Sequence, residues 1–180
     1  MAVKMSRKIW IVVAIVVAAV GATVGVTLSD SPDNPPDSTF SIITWNETSL
    51  STLEGTPVVL NFWSISCGWC RYQLPFLETV AQQREGEIEV VAINMVDSAA
   101  NIQKFFADYE PAMTIALDSN MEVFRDYCLA YNNTRGATPF TLFVDSEGGV
   151  QYAKLGAFAS EAELWDTLSD VLGITAPETS

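Results

Sequence analysis

The sequence predicts an α/β domain whose sheet is covered by helices on both faces, preceded by one N-terminal transmembrane helix. Three observations predict this fold class. A run of twenty mostly apolar residues lies near the N-terminus. Apolar, β-branched runs at 58–63 and 88–95 are typical of strands buried on both faces, and a helical pattern separates them. A hairpin pattern and a last helical pattern then close the chain, as expected for an α/β sheet.

The first 28 residues predict a membrane anchor. Residues 1–8 form a basic N-terminus with Lys4, Arg7 and Lys8, and residues 9–28 are apolar apart from two threonines. Twenty helical residues span about 30 Å, the thickness of the hydrocarbon core of a bilayer. Because the basic residues precede the apolar run, the positive-inside bias places the N-terminus in the cytoplasm and the rest of the chain outside it. We therefore expect a single-pass protein of the cell membrane that contacts the bilayer through residues 9–28.

A cleaved signal peptide is the alternative interpretation of this segment. Ala19 and Gly21 form a small-x-small cleavage pattern. The apolar stretch of a signal peptide is usually only about 7 to 15 residues long, so the longer run here favours the retained anchor.

A polar spacer separates the anchor from the folded domain. Residues 29–39 are rich in Pro, Ser and Asp and predict a flexible linker, which is followed by one domain at 40–174 and a short tail at 175–180. Beyond residue 28 the chain carries six basic and 22 acidic residues, a net charge of −16. Such a charge repels nucleic acid and anionic lipid and attracts basic partners. We expect no nucleic-acid partner.

The predicted elements of the domain follow in order. Strands at 58–63 and 88–95 enclose a helix marked by apolar residues at helical spacing, and further helices are predicted at 99–109 and 121–130 around a short strand at 113–117. The runs at 139–144 and 150–155 flank the turn sequence DSEGG and predict a hairpin. Ser160 and Glu163 form a capping box that starts a helix ending near Leu172.

Composition excludes several kinds of chemistry. The chain has no histidine, which removes every mechanism that needs an imidazole base or an imidazole metal ligand. Three cysteines are present, and the pair at C-x-x-C spacing supplies two thiolates where a closed zinc site usually needs four ligands. We expect neither a metal site nor a cofactor.

The stretch NFWSISCGWCRYQLPF predicts a redox pair at Cys67 and Cys70. It lies between a buried strand and a helix, and the N-terminus of a helix stabilises a thiolate because its N–H groups are unpaired and its dipole is positive there. Such a site can lower the pKa of a cysteine from about 8.5 to about 3.5–7.5. Cys67 is nearer the helix start and is the expected nucleophile, while Cys70 is the expected resolving thiol. A structural staple is less favoured because so small a loop removes little chain entropy.

Several of these residues together resemble a known family. Phe62 and Trp63 precede the cysteines, Arg71 follows them, Pro75 stands five residues after Cys70, and LFVDSEG follows a Gly-to-Pro stretch at 136–139. Over residues 40–172 the chain resembles the thioredoxin superfamily, and more narrowly the membrane-anchored TlpA/ResA-type thiol-disulfide oxidoreductases. The resemblance implies a thioredoxin-like fold with a mixed sheet.

The resemblance also implies a client-binding surface beside the disulfide. Pro139 corresponds to the cis-proline that faces the disulfide, and Thr138 would offer its backbone to an extended client chain. The residues alone also fit an ordinary proline at the entry of a strand. Trp69 stands where proline is common and is either an exposed apolar platform for clients or a residue packed against a neighbouring loop.

Three further residues are expected to support the site. Trp63 precedes the cysteines, Asn61 aligns with the buried aspartate of thioredoxin, and Gln73 falls where many ResA-like proteins carry an acidic residue. Neither amide can accept the proton released by Cys70. Cys128, the third cysteine, shares a helical face with apolar residues, so we favour an inert buried cysteine over a third redox thiol.

The expected function is thiol-disulfide exchange outside the cytoplasm. Clients would be proteins with cysteines or disulfides, and the resemblance implies a reductant, as in cytochrome c maturation, that is recharged by a membrane redox partner. A disulfide-forming oxidase is the first alternative. A thiol peroxidase is disfavoured because Leu60 occupies the position of that family's proline, and a copper-binding module because histidine ligands are missing.

We predict that the intact chain fractionates with membranes and that its domain is accessible to protease only from the extracytoplasmic side. The physical reason is the apolar run behind a basic N-terminus. Protease protection of intact cells and spheroplasts, followed by blotting, measures this. Recovery of a soluble form that begins near Ala22 would show cleavage instead of anchoring.

Overall fold

A computed structural model describes the folded domain, at residues 39–42, 47–49, 53 and 55–178. The predicted N-terminus at 1–8, the anchor at 9–28 and all but the last residue of the linker at 29–39 lie outside the described residues. Among the helices that the structure does describe, none is both long and apolar enough to cross a bilayer.

Within the described residues, seven strands form one sheet. In chain order they are β1 (Thr39–Ile42), β2 (Glu47–Ser49), β3 (Val58–Trp63), β4 (Glu89–Asn94), β5 (Thr114–Leu117), β6 (Phe140–Val144) and β7 (Val150–Leu155). Their order across the sheet is β2-β1-β5-β4-β3-β6-β7. β3, β4 and β5 run parallel, whereas β6, β7, β1 and β2 join by antiparallel pairing. The mixed sheet is therefore confirmed, and β1 and β2 are additions to the predicted set.

Four described helices cover the sheet: α1 (Gly68–Gln83), α2 (Ala99–Phe105), α3 (Glu122–Ala130) and α4 (Glu161–Leu172). Alternate residues of β3 point to opposite faces. Val59 and Trp63 belong to a core cluster with residues of α1, α2 and α4, while Leu60 and Phe62 belong to a second cluster with residues of α3. Helices on both faces of the sheet, as predicted, therefore enclose two cores.

The helix ends follow from local contacts. Ser160 caps α4 by accepting the N–H of Glu163 at 3.2 Å, as predicted. The predicted helix at 99–109 was too long: α2 ends at Phe105, and a turn follows in which the N–H of Tyr109 donates to the carbonyl of Phe106. α1 runs unbroken through Pro75.

The register of β3 and β6 places the C-x-x-C turn and Pro139, the two predicted parts of the site, at one end of the sheet. Phe140 of β6 pairs with Phe62 of β3, so Pro139 lies beside the end of β3, from which the chain enters the C-x-x-C turn. The peptide bond between Thr138 and Pro139 is cis, as the resemblance implied.

Candidate active site

Cys67 and Cys70 form a disulfide at the N-terminus of α1, with their Cα atoms 5.2 Å apart. Cys67 is the N-cap residue with extended backbone, and its Sγ accepts the N–H of Cys70 at 3.1 Å. Cys67 is half-buried, whereas Cys70 is fully buried in the core. The two sulfurs therefore differ in access, and solvent or a client reaches Cys67 first.

The turn before Cys67 is held by the loop that follows β4. The carboxylate of Asp97 accepts the N–H of Ile65 at 2.8 Å and the side-chain amide of Asn94 at 3.0 Å. The amide oxygen of Asn94 in turn accepts the N–H groups of Val96 and Asp97. Sequence reasoning missed this support, although polar residues directly after a buried strand were a usable signal. Asp97 is thus a positioning residue for the C-x-x-C turn.

Trp63 is completely buried at the end of β3 and supports the site by packing. Its ring lies 5.6 Å from that of Phe105 and 5.9 Å from that of Phe106, measured between centroids. Its indole nitrogen finds no hydrogen-bond partner among the described residues. Trp63 therefore joins the strand that leads to Cys67 to the α2 region.

A buried amide network lies one turn below Cys70. The side-chain nitrogen of Gln73 donates to the amide oxygen of Asn61 and to the hydroxyl of Thr141, both at 3.0 Å. The side-chain oxygen of Gln73 accepts the N–H of Phe158 at 3.0 Å. Gln73, Asn61 and Thr141 are all fully buried. The two predicted supporting amides are thus brought together, and they tie α1 to β3, to β6 and to the turn before α4.

The residues predicted to bind clients lie around this site. Trp69 is 69% exposed and makes an edge contact with Tyr72, whose ring centroid is 5.9 Å away. Of the two alternatives for Trp69, the structure therefore shows the exposed side chain and not one packed against a neighbouring loop. Thr138 is half-buried and Pro139 is buried at the end of the sheet beside β3. Their roles in binding clients stay predictions.

Cys128 lies apart from the redox pair. It is a free thiol on α3 and packs against the core cluster on the face of the sheet opposite to that of Cys70. Burial raises the pKa of this thiol, which disfavours its thiolate. The structure leaves it half-buried rather than fully buried, at the border of the buried face of α3 that Val123, Phe124 and Tyr127 form.

The fold and the disulfide together define the class: a thioredoxin-like thiol-disulfide oxidoreductase, with C-x-x-C at the start of a helix and a cis-proline at the same end of the sheet. A family model described as Redoxin matches residues 33–170, and the chain belongs to the Redoxin family.

Named relatives agree with this class. The chain is 28% identical over 130 residues to thiol-disulfide oxidoreductase ResA of Oceanobacillus iheyensis, which covers 72% of this chain and 62% of that protein. It is 27% identical over 128 residues to ResA of Geobacillus thermodenitrificans, covering 70% of each. The solved structure of a thiol:disulfide interchange protein of the thioredoxin family from Chlorobium tepidum superposes with a TM-score of 0.68, at 18% identity, over 81% of this chain and all of that one. This last likeness concerns the fold.

We predict that Gln73→Glu speeds the resolving step by at least about tenfold near neutral pH, because the new carboxyl lies one helical turn from Cys70 and can act as a general base. The surroundings can accept a carboxylate at this position. The N–H of Phe158 already donates a hydrogen bond to the side chain of residue 73, and the hydroxyl of Thr141 can rotate to donate another. The side-chain nitrogen of Asn61 finds no partner among the described residues and is a third donor. The decay of a mixed disulfide on Cys67, followed from pH 6 to 8, measures this rate.

Gln83→Glu is the matched control, because it introduces the same charge at an exposed position of the same helix. We expect it to leave the decay rate unchanged. Equal rates for Gln73→Glu and the wild-type chain across this pH range would show that another group already takes the proton.

Proposed function

We propose that this protein reduces disulfides of client proteins outside the cytoplasm, with Cys67 as the nucleophile and Cys70 as the resolving thiol. The observation that carries this proposal is the unequal access of the two sulfurs at the start of α1, where Cys67 is half-buried and Cys70 is fully buried. The relatives named thiol-disulfide oxidoreductase ResA support the same chemistry.

The reaction begins from the reduced pair. The thiolate of Cys67 attacks one sulfur of the client disulfide, so that a new bond to Cys67 forms, the client disulfide breaks, and the departing client thiolate takes up a proton. The thiolate of Cys70 then attacks the sulfur of Cys67. This step restores the Cys67–Cys70 disulfide, releases the second client thiol and completes the transfer of two electrons to the client.

The electrostatics of the helix start favour Cys67 in the first step. Gly68, Trp69 and Cys70 make up an uncharged first turn, so no carboxylate there opposes the positive end of the helix dipole. Once reduced, the sulfur of Cys67 retains the N–H of Cys70 as a nearby donor, which stabilises its thiolate. Both effects act on Cys67 because it is the N-cap residue.

Client chains would lie against the cis-proline turn. Thr138 precedes Pro139 beside the end of β3, and its backbone would pair with an extended client segment whose cysteine reaches Cys67. The exposed indole of Trp69 would cover apolar client side chains from the other side of the disulfide.

The cellular setting is part of the proposal. The apolar run at 9–28 behind a basic N-terminus supports a membrane anchor with the domain outside the cytoplasm. A membrane redox partner would return two electrons to the oxidised pair, and the resemblance to TlpA/ResA-type proteins supports clients such as those of cytochrome c maturation.

We predict that Cys70→Ala accumulates client proteins in disulfide linkage to Cys67, because attack remains possible and release does not. Cys67→Ala should trap almost none, since the remaining sulfur is buried. Nonreducing electrophoresis of cells quenched with acid, followed by mass spectrometry of the adducts, measures the trapped fraction.

Cys128→Ala is the control for nonspecific trapping and should behave like the wild-type chain. Adducts that form mainly through Cys70 would reverse the two roles. Adducts through Cys128 would contradict its assignment as an inert residue of the α3 core.

A further inference from the structure

A groove of about 420 Å³ lies between α1 and the α2 region. Leu74, Phe105 and Met113 contribute apolar walls, and Phe105 is still 38% exposed. The volume falls within the range of about 300–1,000 Å³ that is usual for ligand pockets. Neither the cis-proline turn nor Trp69 lines it. It is therefore distinct from the client surface described above.

The groove begins at Arg71, one helical turn from the reactive cysteine. Its lining residues on α1 include Arg71, Leu74, Glu78 and Gln82, which follow Cys67 at intervals of three or four residues. Residues at this spacing lie on one face of a helix. A polypeptide bound to Cys67 can therefore continue along this face of α1 into the groove.

Glu78 lies at the far end of the groove, and its carboxylate is already occupied by hydrogen bonds from the protein. Its carboxylate accepts the N–H of Ala112 at 2.7 Å, the N–H of Met113 at 3.3 Å and the side-chain amide of Gln82 at 2.9 Å, as well as the hydroxyl of Tyr109. Burial and the carboxylate of Glu78 raise the pKa of Tyr109 to about 12, so that hydroxyl stays protonated and keeps donating. Glu78 thus fixes the floor of the groove and has little capacity left for a ligand.

The near end of the groove carries a free positive charge. Arg71 is exposed, and its guanidinium makes no ion pair or hydrogen bond with any described residue. It lies seven residues from Glu78, about 10 Å along the helix axis, which is about one screening length at 0.1 M salt. In a chain whose net charge beyond residue 28 is −16, this leaves a local site for an anion next to Cys67.

We propose that the α1–α2 groove recognises a client segment that carries a carboxylate side chain and an apolar side chain near its reactive cysteine. The carboxylate would bind Arg71, in a pairing that planar guanidinium geometry favours. The apolar side chain would pack over Leu74, Phe105 and Met113. This inference rests on the proposed function, because it needs the client to be linked to Cys67.

The test compares symmetrical disulfides of two short peptides that share a cysteine and a phenylalanine and differ by Asp or Asn near the cysteine. Attack on either sulfur then places the same peptide on Cys67. The full chain, reduced beforehand and held in neutral detergent, is mixed with each peptide, and the second-order rate of its oxidation is measured. The readout is the ratio of the Asp rate to the Asn rate, which cancels any effect of a variant on the thiolate itself.

We expect a ratio of about three to five for the wild-type chain at low salt, the range of an exposed ion pair, and a ratio near one in 1 M salt. R71Q should lower the low-salt ratio to one or below, because only the repulsion by the acidic domain remains. R125Q, which removes an exposed arginine on α3, should keep the wild-type ratio. Replacing the phenylalanine of the peptide by serine should slow the reaction of the wild-type chain.

A wild-type ratio of one or less, or an unchanged ratio in R71Q, would overturn the subsite while leaving the exchange reaction standing. An equal loss in R71Q and R125Q would also overturn it, since it would indicate a general charge effect. If neither peptide oxidised the wild-type chain, the proposed function itself would fail.

Discussion

The buried side chain of Gln73 holds the helix of the redox pair to the rest of the domain. Its three hydrogen bonds reach Asn61 on β3, Thr141 on β6 and the backbone of Phe158 before α4. Each buried polar group left without a partner costs about 1–3 kcal/mol, so these contacts favour one placement of α1 over its alternatives. The position of Cys70 follows from this placement, because it lies one turn before Gln73 on the same helix.

The same arrangement gives the two sulfurs different exposure to solvent while keeping them bonded to each other. Asp97 holds the turn before Cys67 from one side, and the buried ring of Trp63 supports it from below. The helix then carries Cys70 into the core and leaves Cys67 at the surface. The more accessible sulfur of Cys67, the proposed nucleophile, and the shielded sulfur of Cys70 therefore result from the direction in which α1 enters the domain.

Overall charge and local charge lead to different expectations about clients. A net charge of −16 beyond residue 28 favours basic partners at long range. Arg71 provides an unpaired cation one helical turn from Cys67, where we propose that a partner already in contact is recognised. Long-range attraction governs encounter, and short-range pairing governs which segment reaches the disulfide.

The sequence was sufficient for the features whose signal is local. Strand runs, the DSEGG hairpin and the Ser160 cap are patterns of neighbouring residues, and the C-x-x-C pair lies at a strand-to-helix junction that those patterns locate. β1 and β2 were missed because they are short strands, of four and three residues, and contain several polar residues. The distant partners of Gln73, Asp97 and Glu78 were missed because those contacts join residues 12 to 85 positions apart. Such pairings depend on the tertiary fold, which side-chain type alone does not specify.

A working reductant at Cys67 and Cys70, as proposed above, requires a low equilibrium reduction potential for this pair of cysteines. The potential can be measured by equilibrating the full chain with dithiothreitol buffers of known ratio, quenching with acid and counting free thiols by mass. We expect a value near that of thioredoxin, about −270 mV. A value near −120 mV would instead identify a pair that oxidises its clients, the opposite of the proposed direction of electron transfer.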